Sequence, residues 1–102
     1  MRLVQVLLPL RDPAGAPFPR ERYDAFMREL TERFGGVTAY ARAPATGLWK
    51  DASDQAQRDD VVVFEVMVEA LDTAWWAACR RRLESELRQQ EIVIRTLPME
   101  RI

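Results

Sequence analysis

Residues 61–79 read VVVFEVMVEALDTAWWAAC, and the fold is decided by the change of period inside this stretch. From Val61 the side chains alternate: Val62, Phe64, Val66 and Val68 share one face, while Val63, Glu65 and Met67 share the other. An apolar run with period two is a strand buried on at least one side. Past Leu71 the period lengthens. Trp76, Cys79, Leu83 and Leu87 recur at helical spacing with Trp75 on the margin, and Asp72 or Thr73 can cap the first turn. The spacing therefore predicts a strand over 61–70 followed by a helix over about 72–90.

Working outward, the same two rhythms repeat. Upstream, Tyr23, Phe26, Met27, Leu30 and Phe34 form a helical stripe over 20–34 that stops at Gly35–Gly36. Glycine is the residue that takes a left-handed C-terminal position without steric cost. Val37–Ala43 then alternates, with Thr38, Tyr40 and Arg42 on one face, and Pro44 ends it. Leu3–Leu10 reads as a first strand, followed by the turn-rich RDPAGAPFP of 11–19, and Glu91–Met99 as a last one. The order is β-α-β-β-α-β without a linker, so 1–102 is a single domain. With right-handed crossovers this order gives a ferredoxin-like α+β sandwich. Its four-stranded antiparallel sheet has strand order 4-1-3-2 and both helices on one face.

Composition removes several function classes. The chain has 102 residues, 48% hydrophobic and 30% charged, which suits one folded two-layer domain. It has no histidine, which excludes His-based triads, His general bases and two-His metal sites. A net charge of −1 argues against a general nucleic-acid binder. Arg80, Arg81 and Arg82 look basic, but Arg80–Glu84, Arg82–Glu86 and Glu84–Arg88 are opposite-sign pairs four residues apart, as on a solvated helix face. No apolar run, Val61–Phe64 included, approaches the ~20 residues that span a bilayer. MRLVQVLLPL is interrupted by Gln5 and carries no cleavage site, so it reads as a strand rather than a secretory signal. The one cysteine, Cys79, reads as a small buried hydrophobe and fits a reducing cytoplasm. DASDQAQRDD (51–60) holds four aspartates but lacks calcium-loop spacing, so no metal and no cofactor are expected.

Helices on one face leave the other face of the sheet open, and it is too apolar for bare water. Leu3, Leu7, Val63, Met67 and Val93 are the interface candidates there, and isologous self-association, a homodimer, is the commonest fate of such a surface. Among them sit Tyr40, Arg42, Glu65 and Arg95. The connection 44–60 is long for a hairpin and contains Trp49, expected to fold over the open face or across a dimer. Tyr40, Arg42, Trp49, Glu65 and Arg95 are thus the ligand-pocket candidates. Two guanidinium groups against one carboxylate would suit a small anionic or carboxylate-bearing ligand.

FMRELTERFGGVT, then GLWKD, DDVVVFEV and LRQQEIVIR, resembles a group of short uncharacterised bacterial proteins. In them a first helix ends in F-G-G-x-T, a G-x-W-x-D follows, and a second helix runs into Q-x-x-[VI]-x-[VI]. The resemblance implies a ferredoxin-like fold and assigns no catalytic role to Gly47, Trp49 or Asp51. Two functions are expected from these readings. The first is a non-enzymatic dimeric binding or regulatory module. The second is a small enzyme similar to the dimeric α+β-barrel oxygenases and isomerases, with a cavity at the open sheet face.

Overall fold

The computed structural model describes residues 1–42 and 61–102. The elements run β1 (Arg2–Pro9), α1 (Arg20–Phe34), β2 (Thr38–Arg42), β3 (Val61–Val68), α2 (Thr73–Glu86) and β4 (Val93–Pro98). The four strands form one antiparallel sheet in the order β2-β3-β1-β4, so the architecture is α+β. Counted from the β4 edge the same order reads 4-1-3-2.

The even-numbered residues of the two central strands, Val4, Val6, Leu8, Phe64, Val66 and Val68, pack in one cluster with Phe26 and Leu30 of α1 and with Trp76, Cys79 and Leu83 of α2. Both helices therefore cover the same side of the sheet. Burying each of these side chains is worth about 1.5–3 kcal/mol, and this layer is the main source of stability. Phe26 meets Phe64 edge to face at 5.0 Å, tying α1 to the middle of β3. Phe34 stacks on Trp76 at 5.2 Å, and Trp75 stands perpendicular to Trp76 at 4.7 Å. The marginal Trp75 is half-buried, with the Arg33 guanidinium 4.5 Å above its ring.

The helix boundaries follow from local chemistry. Gly35 takes φ 84° and its N–H donates to Thr31 O, closing α1 in the left-handed conformation that glycine tolerates. Asp72 caps α2 by accepting from Trp75 N at 3.1 Å. The far end of α2 departs from the expectation: the helix stops at Glu86, four residues short of the 90 that periodicity suggested. Arg88 adopts φ 53°, Gln89 N–H donates to Glu84 O at 2.9 Å and Arg88 N–H to Ser85 O at 3.3 Å. This is a Schellman closure with arginine where glycine is usual. Leu87 and Ile92 still reach the core from either side of it.

The expected charge ladder on α2 is also rearranged. Arg82 does approach Glu86, at 3.8 Å, but its stronger partner is Glu29 of α1, held bidentately at 2.7 and 2.6 Å. Glu84 turns instead to the Ile92 N–H at 3.0 Å, and Arg88 reaches Asp12 at 2.7 Å. Periodicity shows only partners on the same helix. The tertiary fold supplies better ones.

Candidate functional site at the open sheet face

The side of the sheet away from the helices is built in three levels fixed by register. Leu97, Leu3 and Met67 lie side by side on β4, β1 and β3. One pleat along come Arg95, Gln5 and Glu65, with Thr38 of β2 next in line. The third level holds Val93, Leu7, Val63 and Tyr40. Side chains with period two on four strands must line up this way once the register is set. A polar rung is thus enclosed between two apolar ones.

The polar rung is continuously hydrogen-bonded. Arg95 Nε donates to Gln5 Oε1 at 2.7 Å, Gln5 Nε2 donates to Glu65 Oε2 at 2.7 Å, and the Tyr40 hydroxyl donates to the same Glu65 oxygen at 3.1 Å. Gln5 is only 8% exposed, and its two neighbours use both ends of its amide. Arg95 and Glu65 are thus joined through a neutral side chain rather than as a direct ion pair. Gln5 is the member that sequence reasoning missed as a site residue. Its signal was a lone polar position inside an apolar central strand, and only the register shows what stands on each side.

The other candidates divide as follows. Tyr40 is 45% exposed, Met67 49%, Val93 42%, and Leu3 and Leu7 are half-buried. Val63 differs: at 2% exposure within the single chain it offers a partner no surface. Beside it, Tyr40 pairs with Val63 in register, while its hydroxyl reaches diagonally along β3 to Glu65. Leu97, 46% exposed, is an apolar member of the face that the interface candidates omitted. The backbone of Arg42 pairs with Val61. The Arg42 side chain, Trp49 and the aspartates of 51–60 lie outside the described residues.

Next to the face is a recess of about 640 Å3, lined by Leu3, Phe34, Gly35, Gly36, Thr38 and Met67, among others. It opens where β2 begins late and two glycines contribute no side chains. A second recess, about 380 Å3, lies between the helices over Leu8, Phe26, Leu83 and Leu87, and the Glu29–Arg82 pair lies at its rim. Tyr23, also there, donates to Pro9 O at 2.7 Å, and burial raises its phenol's pKa.

The remaining nucleophile is inert. Cys79 is buried, and desolvation pushes its thiol up to about 11 even though Arg82 Nη2 stands 3.9 Å from Sγ. That guanidinium is a cationic neighbour the sequence reading did not assign, and burial outweighs it. Among the described residues no group of His, Cys, Asp and Glu could hold a metal ion, and no helix is long and apolar enough to cross a membrane. Compared with known proteins, the chain matches no protein-family model, no curated protein and no solved structure.

Proposed function

We propose that this chain is a homodimeric, ferredoxin-like binding module that works in the cytoplasm and associates through its open sheet face. The observation that carries the reading is the exposure of Met67, Val93, Leu97 and Tyr40 on the side of the sheet that neither helix covers. Burying apolar surface at ~25 cal/mol per Å2 favours association by several kcal/mol before association costs. The lone thiol suits a reducing compartment. Met67→Lys places a charge in an apolar rung and is expected to shift the protein from dimer to monomer in sedimentation velocity, with its thermal unfolding still cooperative. A wild type that is monomeric at high micromolar concentration ends the proposal.

A second reading has its own observation. Arg95 uses Nε on Gln5, and its two terminal nitrogens have no partner among the described residues. A carboxylate could dock bidentately there, as the anionic-ligand expectation and the enzyme alternative require. A thermal-shift screen of small organic acids should then give a hit that Arg95→Ala abolishes. No hit removes this reading.

A further inference from the structure

The register of the open face specifies more than the fact of a dimer. When two sheets pack face to face with their strands nearly aligned, the two-fold axis of the homodimer lies in the plane between them and runs close to the strand direction or across it. An axis across the strands, through the polar rung, places Arg95 over Arg95 of the partner subunit and Glu65 over Glu65 of the partner subunit. Like charges are then opposed in a desolvated interface, which costs several kcal/mol. An axis along the strands between β1 and β3 exchanges β1 with β3 and β4 with β2, while every level stays at its own height. Glu65 of the partner subunit then lies over Gln5, beside Arg95, whose terminal nitrogens have no other partner among the described residues.

The apolar level obeys the same operation. Leu3 falls over Met67 of the partner subunit, and Leu97 over the start of its β2. Continuing the β2–β3 register two residues beyond Thr38–Glu65 puts Gly36 beside Met67. Gly35 and Gly36, without side chains, line the 640 Å3 recess there, and this axis would set the exposed Leu97 of the other copy over it. Packed sheets are usually rotated by about 30°, which moves strands this close to the axis by only about 4 Å, within side-chain reach.

Resting on the dimer reading, we infer that the partner is a second copy related by an axis along β1 and β3. Arg95 pairs with Glu65 of the partner subunit, and Leu97 fills the notch beside Gly36 of the partner subunit. Both contacts occur twice, and each sheet supplies what the other lacks.

Mixing charge-reversed chains tests this, because it separates contacts between chains from those within one. Arg95→Glu alone and Glu65→Arg alone should each dimerise about 10-fold or more weakly than wild type in sedimentation. An equimolar mixture should recover the dimer, since only the mixed species sets opposite charges at both cross-contacts. Gly36→Trp is the control for folding. A Cβ at Gly36 has no heavy atom within 4 Å, so this variant should still unfold cooperatively, at a temperature independent of concentration, yet be monomeric. Single variants that dimerise as wild type does, a mixture no tighter than its components, or a dimeric Gly36→Trp would overturn the arrangement. The dimer reading fails separately, if wild type itself is monomeric.

Discussion

Asp12 shows how much one side chain can organise. Its Oδ1 accepts from Ala14 N–H and Ala16 N–H, both at 2.9 Å, and its Oδ2 accepts from Arg88 at 2.7 Å. The Ala16 N–H, with smaller contributions from Ala14 and Arg88, holds its carboxyl below the ordinary 3.8, against an opposing effect of burial. The sign of the pH effect follows. A depressed folded pKa means the unfolded chain binds the proton more readily. The stabilisation is fully present above the unfolded value and is lost as pH falls through the lower folded one. Asp12→Asn should therefore be less stable than wild type near neutrality, and its urea midpoint should fall less steeply below about pH 4. Equal slopes for the two proteins would show that another carboxylate dominates the acid limb. Gln5 teaches the complementary point. Its neutral amide meets opposite charges at its two ends and needs no titration to do so.

At the scale of the element, the end of α2 is the informative place. A non-glycine residue in the left-handed region costs about 1–2 kcal/mol, and Arg88 sits at φ 53°. Its guanidinium is aimed at Asp12 from there, so the helix end and the β1–α1 loop are fastened to each other. Arg88→Ala keeps the unfavourable backbone and removes the ion pair, whereas Arg88→Gly relieves the backbone. Urea denaturation should find the glycine variant more stable than the alanine variant by about 1 kcal/mol. An alanine variant as stable as the glycine one would mean that the closure reforms without the left-handed residue. The stop at Glu86 was not legible in sequence. Leu87 continues the apolar stripe, and arginine carries no stop signal of its own.

At the scale of the whole molecule, one sheet face is covered by two helices and the other carries exposed Met67, Val93 and Leu97. If a second copy covers it, folding and association are linked by mass action. The melting temperature should then rise with protein concentration across the micromolar range for wild type and be flat for Met67→Lys. A concentration-independent wild-type transition would separate stability from association.

The sequence by itself determined the periods, and through them the elements. The switch from period two to helical spacing at Leu71, the glycine stop after Phe34 and the cap at Asp72 are local signals. Each depends on backbone sterics or on neighbours within a few residues. The same periodicity divided the core face from the open face, because alternation along a strand is a covalent fact. What only the tertiary structure decided was which residues meet across the sheet and between the helices. Gln5 between Arg95 and Glu65, Tyr40 reaching Glu65 on β3, Glu29 holding Arg82 and Asp12 holding Arg88 join positions far apart in the chain. Polar partners are chosen by reach and geometry after the hydrophobic layer has set the register, and no period in the sequence encodes that choice.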